Sequence, residues 1–152
     1  MSISVLLIDD DREYLDILSE RLTIRGMEVA TAESGPTALD LIQKSQFDVL
    51  VLDLQMPTMD GLQVLEQLAA IKPDQPVLLL TGHATVAKGV QAMKLGAADV
   101  IEKPVNIREL VEKIQEIAQQ PIRPTKGQTN GRRSRNISGL IDTLRRLFSR
   151  PA

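Results

Sequence analysis

The sequence predicts an α/β protein, built as a doubly wound, five-stranded parallel sheet with helices on both faces. Five short apolar runs recur along the first 119 residues, and most of them are continuous rather than alternating. Continuous runs are typical of strands that are buried on both faces. Stretches with the spacing of amphipathic helices separate these runs. Because strand and helix alternate, we expect parallel strands joined by right-handed crossovers.

Each predicted element carries its own local signal. The helical stretches have apolar residues three or four positions apart, most clearly over residues 107–118. Gly26 and Gly96 stand where left-handed helix caps are expected, and Asp60-Gly61 indicates a turn that opens a helix. The strands are predicted at residues 3–8, 27–31, 48–52, 76–80 and 98–101.

The composition excludes several kinds of site. The chain has no cysteine, which rules out disulfides, zinc–thiolate sites and cysteine nucleophiles. Its aromatic residues are Tyr14, Phe47 and Phe148, too few for a surface that stacks nucleic-acid bases. No segment has the length of a membrane span, and the start of the chain lacks the features of a signal peptide. We therefore expect a cytoplasmic protein, for which membrane binding is not the expected role.

Charge is distributed unevenly along the chain. Residues 121–152 carry seven Arg, one Lys and one Asp, a net +7, so the remainder carries −9. Residues 1–119 contain the predicted sheet and form the predicted domain. Residues 120–136 are rich in Pro, Gly and polar side chains and predict a flexible basic linker. Apolar residues at helical spacing over 137–149 predict an amphipathic C-terminal helix.

A helix as short as the predicted C-terminal one is marginal in water, so we expect it to lie on another surface. Three surfaces stay open at this point: its own acidic domain, a partner protein or second copy, and an anionic membrane. The segments outside the predicted sheet are too short for a helix-turn-helix domain, so we do not expect sequence-specific DNA binding. Weak, salt-sensitive contacts of the tail arginines with nucleic acid are compatible with the sequence.

Chemically reactive side chains stand at the ends of four predicted strands. The first strand ends in Asp9-Asp10-Asp11, the third in Asp53, the fourth in Thr81, and the fifth in Lys103 after Glu102. The carboxyl ends of parallel strands lie at one edge of a sheet, and ligands of such folds bind there. We therefore expect these acids, the hydroxyl and the ammonium to share one crevice.

Clustered carboxylates repel one another unless they are protonated or bound to a cation. Magnesium suits such a cluster, because it takes oxygen ligands and is typically held by one or two carboxylates together with water and phosphate. We expect Asp10 and Asp53 to be direct ligands and Asp9 to act through water. The backbone carbonyl of Gln55 should lie close by.

With the metal bound, Asp53 is a candidate nucleophile toward a phosphoryl group, and Lys103 and Thr81 would meet the charge of that group. Each residue also has an ordinary structural interpretation. Asp10 and Glu13 could form a capping box. Asp53 could be a turn residue, Thr81 a strand residue or cap, and Lys103 a solvated charge. We favour the functional interpretation, because the ordinary one requires all four residue types to reach one edge by chance.

Four motifs resemble those of the receiver domain in two-component response regulators, in particular chemotaxis regulators. They are LLIDDD (6–11), DVLVLDLQMPTMDG (48–61), LLLTGHAT (78–85) and LGAADVIEKPV (95–105). The resemblance extends over residues 3–119. It implies the flavodoxin-like strand order 2-1-3-4-5 and magnesium-dependent phosphorylation by a sensor histidine kinase or phosphotransfer protein.

Position by position, the resemblance implies a role for each residue of the crevice. Asp53 would accept the phosphoryl group, and Asp9 and Asp10 would be the acidic pair that binds the metal. Thr81 would be the switch hydroxyl, and Lys103 would pair with the phosphate. The output surface would be about residues 84–118, with the C-terminal helix as a second contact for a protein target.

Four further positions bear on the resemblance. Pro104 should follow a cis peptide bond. His83 and Gln55 occupy positions that tune how fast the phosphoryl group is lost. The family usually has an aromatic residue near the start of strand 5 that turns inward on activation, and the matching residue here is Val100. Valine cannot swing between exposed and buried positions as tyrosine does, so that half of the usual readout is absent.

The residues also separate this interpretation from its competitors. A phosphohydrolase that forms an aspartyl phosphate needs a second acid two positions after the nucleophile, where this chain has Gln55. A flavodoxin would need a phosphate cradle where this chain has three aspartates. The remaining alternative is a degenerate, phosphorylation-independent receiver that acts as a binding module through its tail. We favour the signalling phosphoacceptor, which is not an enzyme with a substrate of its own.

Overall fold

The computed structural model describes residues 2–57, 59–82 and 86–120. In this part of the chain, five strands and five helices alternate, as the sequence predicts. The strands are β1 (Ser4–Ile8), β2 (Glu28–Ala32), β3 (Val49–Asp53), β4 (Val77–Thr81) and β5 (Asp99–Glu102), and the helices are α1 (Arg12–Ile24), α2 (Gly35–Lys44), α3 (Gly61–Ile71), α4 (Val86–Lys94) and α5 (Ile107–Gln119).

The strands form one parallel sheet in the order β2-β1-β3-β4-β5. This order confirms the predicted doubly wound, flavodoxin-like topology. β1 pairs with β2 on one side and with β3 on the other, so the direction of winding reverses at β1. A crevice opens beyond the carboxyl ends of strands at such a reversal. The predicted site residues after β1 and β3 therefore stand at the switch point of the sheet.

Alternate residues of each strand pack into two core layers, one on each face of the sheet. On β3, Leu50 and Leu52 belong to a layer that includes residues of α2, α3 and α4. Val49 and Val51 belong to a second layer, which includes residues of α1 and α5. All four side chains are buried. Burial on both faces explains why the strands appear in the sequence as continuous apolar runs.

Four strands, β2 to β5, end one residue beyond the apolar runs that predicted them, and β2 ends at Ala32. β3 ends at Asp53, β4 at Thr81 and β5 at Glu102, because backbone pairing continues past the last apolar residue. Beyond β5, Lys103 still donates its backbone N–H to the Thr81 carbonyl at 2.8 Å. The polar residues that follow the core are thus held by the sheet rather than by loops.

Three helix ends match their sequence signals. Gly26 and Gly96 have φ values of 86° and 106°, which confirms the predicted left-handed caps. Asp60 caps α3, and Gln63 completes a capping box. The Asp60 carboxylate accepts from the Gln63 N–H at 2.9 Å, and the Gln63 side chain accepts from the Asp60 N–H at 3.0 Å. These local hydrogen bonds fix where α3 begins after the loop that follows β3.

The start of α1 corrects one of the ordinary interpretations. Asp11, not Asp10, is the N-cap, and its carboxylate accepts from the Tyr14 N–H at 3.1 Å. The helix therefore begins one residue too late for a capping box between Asp10 and Glu13, and Tyr14 takes the third helical position. Asp10 has no capping role and lies exposed beyond the end of β1.

Other features lie away from the predicted site or outside the described residues. The predicted C-terminal helix (137–149), and the predicted linker (120–136) apart from its first residue, fall outside the part of the chain that the structure describes. Within that part, no helix combines the length and the apolar character needed to cross a membrane.

A cavity of about 560 Å³ opens at the amino-terminal edge of the sheet, where Asp48, Pro76 and Ile117 contribute to its lining. This cavity is at the opposite end of the strands from Asp53.

Gly61 offers a test of how closely α3 approaches β3. A Cβ atom at this position would lie 2.8 Å from both the Asp53 carbonyl oxygen and Leu54 Cα, which belong to the backbone and cannot move aside easily. We expect Gly61→Ala to lower the free energy of unfolding in urea by about 1–3 kcal/mol. Gly82→Ala is the matched control, because no described atom lies within 4 Å of its added Cβ. Equal stability of the two variants would contradict this packing.

Candidate functional site

The sheet brings the predicted site residues to one edge. Asp9 directly follows β1, Asp53 ends β3, and Thr81 ends β4. Lys103 directly follows β5, and the peptide bond between Lys103 and Pro104 is cis, as the resemblance implies. Pairing of β1 with β3, of β3 with β4 and of β4 with β5 aligns these ends. Residues that are up to 94 positions apart in sequence therefore meet in space.

The acidic part of the site consists of Asp9, Asp10 and Asp53. One carboxylate oxygen from each residue can be chosen so that all three lie within 4.8 Å of one another. Asp9 and Asp53 are buried, and Asp10 is exposed to solvent. The arrangement therefore combines two carboxylates at the end of the core with a third that faces water.

Lys103 provides the positive charge of the site. Its Nζ lies 2.7 Å from Asp9 Oδ2 and 3.7 Å from Asp53 Oδ2. The other oxygen of Asp9 accepts from the Asp11 N–H at 2.9 Å, so both oxygens of that carboxylate have a partner. Lys103 is therefore an ion-pair partner of Asp9 first and of Asp53 second, a ranking that the sequence does not indicate.

Asp53 is the carboxylate that this environment stabilises least. Its Oδ1 accepts from the Gln55 N–H at 3.2 Å. Burial first, and the negative charge of Asp9 second, raise the pKa of Asp53 from 3.8 to about 6, against the lowering effects of the Gln55 hydrogen bond and of Lys103. The described residues thus do not offset the free-energy cost of ionising Asp53 at this buried position.

Thr81 contributes a buried hydroxyl whose Oγ1 has no hydrogen-bond partner among the described residues. Buried polar groups are almost always hydrogen-bonded, so an orphaned hydroxyl at a cluster of charged groups is expected to have a partner beyond the described residues. The sequence predicts Thr81 for this edge, and the structure places it there at the end of β4.

The donor set fits a hard divalent cation. Three carboxylates face one ammonium, so the cluster carries excess negative charge, which a divalent ion would offset. All candidate ligand atoms are oxygens, and the chain has no cysteine, which favours magnesium over softer metals. The Gln55 backbone follows Asp53 closely, and the predicted use of its carbonyl as a ligand stays a prediction.

Val100 and His83 are the remaining predicted positions, and Tyr14 is a neighbour that the sequence did not indicate. Val100 is buried in the core layer that includes α2, α3 and α4, so it offers no side chain that could turn inward on activation. His83 lies outside the described residues. One neighbour of the site was missed from the sequence: the Tyr14 ring centroid lies 4.6 Å from Lys103 Nζ. Its position in the first turn of the helix after β1 was the available signal.

Comparison with known proteins assigns the family. The model of the response regulator receiver domain matches residues 5–115 of this chain. The chain belongs to this family. Response regulators act in two-component systems, and receiver domains interact with histidine kinases.

Among curated proteins, the receiver domain is similar to the response regulator MprA of Mycobacterium bovis. The two chains are 39% identical over 114 residues, which cover 75% of this chain and 50% of MprA. MprA of Mycobacterium tuberculosis matches to the same extent. This chain therefore spans about half the length of the curated relatives it matches.

Solved structures share the same architecture. A CheY-like receiver domain protein from Methanospirillum hungatei is 32% identical with a TM-score of 0.75, and the match covers 78% of this chain and 94% of that one. CheY4 of Vibrio cholerae is 30% identical with a TM-score of 0.73, covering 77% and 99%. The BeF3-activated DrrB receiver domain is 26% identical with a TM-score of 0.71, covering 79% and 100%.

The raised pKa of Asp53 predicts a stability gain on neutralising it. Ionising Asp53 costs more free energy in the folded receiver domain than in the unfolded chain. The fold is therefore more stable while Asp53 is protonated, near pH 4, and this stability is lost as the pH rises through about 6. In urea unfolding with EDTA at pH about 8, Asp53→Asn should be more stable than wild type, by on the order of 1–3 kcal/mol. The gain should shrink near pH 4. A variant less stable than wild type at both pH values would contradict the electrostatic account.

Proposed function

We propose that this receiver domain accepts a phosphoryl group on Asp53 from a sensor histidine kinase or a phosphotransfer protein, in a reaction that requires magnesium. The observation that carries the proposal is the placement of Asp53. Its carboxylate is buried at the meeting point of two other acids, a lysine and an orphaned hydroxyl. Each of these neighbours suits a ligand that combines a divalent cation with phosphate oxygens.

The chemical step needs only one bond exchange. A carboxylate oxygen of Asp53 forms a bond to phosphorus while the bond from phosphorus to the donor's histidine nitrogen breaks, and that nitrogen keeps the electron pair. The carboxylate must be ionised to attack, so groups that offset the repulsion from Asp9 favour the reaction. The receiver domain promotes its own phosphorylation and dephosphorylation in this proposal, and it has no other substrate.

Asp9, Asp10 and Asp53 would hold the magnesium ion, together with the backbone carbonyl of Gln55. When bound, magnesium would neutralise carboxylate charge and shield the oxygens of the phosphoryl group from the acids around it. Both oxygens of Asp9 are already engaged by Lys103 and the Asp11 N–H, which supports a water-mediated role for this acid.

Lys103 and Thr81 would bind the oxygens of the transferred group. Lys103 lies 3.7 Å from Asp53 and can turn toward a phosphoryl group there, with charge-assisted hydrogen bonds. Among the described residues, the Thr81 hydroxyl has no hydrogen-bond partner, and a phosphoryl oxygen would remove the cost of burying it. These two contacts would bias the loops that follow β4 and β5, a coupling typically worth about 1–3 kcal/mol.

We further propose that the signal leaves through residues 84–118, to a downstream protein. The Thr81 contact would carry the switch, because Val100 is buried and cannot rotate as the usual aromatic residue does. The linker at residues 120–136 and the amphipathic helix at 137–149 would supply a second contact. The proposal does not include sequence-specific DNA binding. The cytoplasmic location expected from the sequence belongs to the same proposal.

The first test is the phosphorylation of Asp53 itself. With acetyl phosphate and magnesium, wild type should gain the mass of one phosphoryl group by intact-mass spectrometry, and EDTA should abolish the gain. Asp53→Asn should gain nothing, because an amide oxygen is a poor nucleophile. Asp74→Asn, at the opposite edge of the sheet, is the control and should behave as wild type. A phosphoryl group on Asp53→Asn would overturn the assignment, and none on wild type would favour a phosphorylation-independent binding module.

A second probe tests the same site without a covalent step. DrrB shows that a receiver domain of this architecture can be activated by BeF3. We expect BeF3 to bind wild type in the presence of magnesium and to shift the amide NMR signals of residues next to Asp53 and Thr81. Asp53→Asn should show no such shifts. Binding of BeF3 to that variant would place the acceptor elsewhere.

Deleting residues 121–152 tests the tail. If the tail contacts a second copy, deletion lowers the sedimentation coefficient of the oligomer, and if it contacts an anionic membrane, deletion abolishes binding to phosphatidylserine vesicles. We expect phosphorylation by acetyl phosphate to survive the deletion, because Asp53 and its neighbours all lie within residues 9–103. Loss of phosphorylation would show that the tail is part of the site.

A further inference from the structure

The Lys103 ammonium lies between a carboxylate and an aromatic ring. Its Nζ is 2.7 Å from Asp9 Oδ2, and the centroid of the Tyr14 ring lies 4.6 Å away. A cation within about 6 Å of a ring centroid is attracted by the negative face of the ring, more strongly where water is excluded. Lys103 is 23% exposed, so part of this attraction is unscreened. The ring and the carboxylate together restrict where the ammonium can be.

The backbone of the same segment fixes the position of the ring. Asp9 accepts the Asp11 N–H, and Asp11 in turn accepts the Tyr14 N–H as the cap of α1. Tyr14 therefore stands in the first turn of the helix that begins beside the acidic cluster. These two hydrogen bonds, of 2.9 and 3.1 Å, connect Asp9 to the backbone that carries the Tyr14 ring.

The Tyr14 ring lies over the Lys103 ammonium, and the hydroxyl is also within electrostatic range of Lys103 and Asp9. Tyr14 Oη is buried and has no hydrogen bond of standard geometry among the described residues. A buried hydroxyl without a partner destabilises rather than stabilises a fold. A phenylalanine at this position would keep the ring face and remove the orphaned group.

We propose that Tyr14 is a positioning residue for phosphoryl transfer, whose ring holds the Lys103 ammonium within reach of Asp53. This inference rests on the proposed function of Asp53. Without the ring, Lys103 would keep its ion pair with Asp9 but gain freedom to turn toward solvent. The competing explanation is that Tyr14 only fills space, since its side chain also packs against the core layer next to α1 and α5.

Matched substitutions separate the two explanations. We expect Tyr14→Leu to lower the rate constant for phosphorylation by acetyl phosphate about threefold to tenfold, because it removes the ring but keeps an apolar side chain. Tyr14→Phe should stay within about twofold of wild type. Neither variant should change the magnesium affinity measured by calorimetry, because both leave the three carboxylates of the cluster in place. Tyr14→Met is the second variant, in case Tyr14→Leu fails to fold.

The geometry is also measurable in wild type. Protons held over the face of an aromatic ring resonate upfield, so the Lys103 ε-methylene protons should be shifted upfield in wild type and in Tyr14→Phe. The shift should vanish in Tyr14→Leu. The other aromatic rings of the chain belong to Phe47 and Phe148, so loss of the shift in Tyr14→Leu would assign it to the ring at position 14.

The outcomes identify which statement fails. Equal phosphorylation of Tyr14→Leu, Tyr14→Phe and wild type would overturn the positioning role and leave the proposed function intact. Equal losses in Tyr14→Leu and Tyr14→Phe would overturn it too, because they would implicate the hydroxyl. Absence of phosphorylation in wild type would overturn the proposed function, and the positioning role with it.

Discussion

Two buried carboxylates at the ends of adjacent strands impose the constraint on which this molecule depends. Asp9 and Asp53 are each about 5% exposed or less, and the pairing of β1 with β3 keeps them close. Like charges repel most strongly where water is scarce, and neither residue can move away without breaking the sheet. Lys103 forms ion pairs with both carboxylates and lies closer to Asp9 than to Asp53. Asp53 is left with a raised pKa and a demand for positive charge, which is the property that a metal-assisted phosphoacceptor needs.

The rest of the fold keeps that arrangement from relaxing. Aliphatic layers on both faces of the sheet bury β3 completely, so its last residue cannot retreat. Gly61 lets α3 pass against the backbone at the end of β3, and its N–H donates to the Leu54 carbonyl at 2.9 Å. Asp11 ties the segment after β1 to the start of α1. Local unfavourable electrostatics are thus tolerated because packing elsewhere leaves the charged groups no alternative position.

Family membership and the particular residues of this chain carry different information. The match to receiver domains accounts for the sheet order and for the meeting of acids and lysine at one edge. In this chain, Val100 is buried and the ring of Tyr14 lies over Lys103. The first leaves valine where the resemblance implies a rotating aromatic residue, and the second gives Lys103 an aromatic contact. The family therefore explains the scaffold, and individual side chains decide how the site responds.

The sequence by itself determined the alternation of strands and helices, the burial of the strands and the edge at which the reactive residues meet. Hydrophobic periodicity and turn residues are local signals, so Gly26, Gly96 and Asp60 could be assigned without knowing their neighbours. It also placed Asp53 and Thr81 at strand ends, because a strand end is visible where an apolar run stops.

Only the tertiary structure decided the partners of these residues. The preference of Lys103 for Asp9, the orphaned hydroxyl of Thr81 and the ring of Tyr14 depend on distances between elements. Asp11 is the N-cap of α1, although the sequence is also compatible with Asp10 in that role, because α1 begins at Arg12 rather than at Asp11. Such choices turn on shifts of a single residue or a few ångströms. A pattern that repeats every two or every 3.6 residues cannot resolve them, since it records which face a side chain is on but not what it meets there.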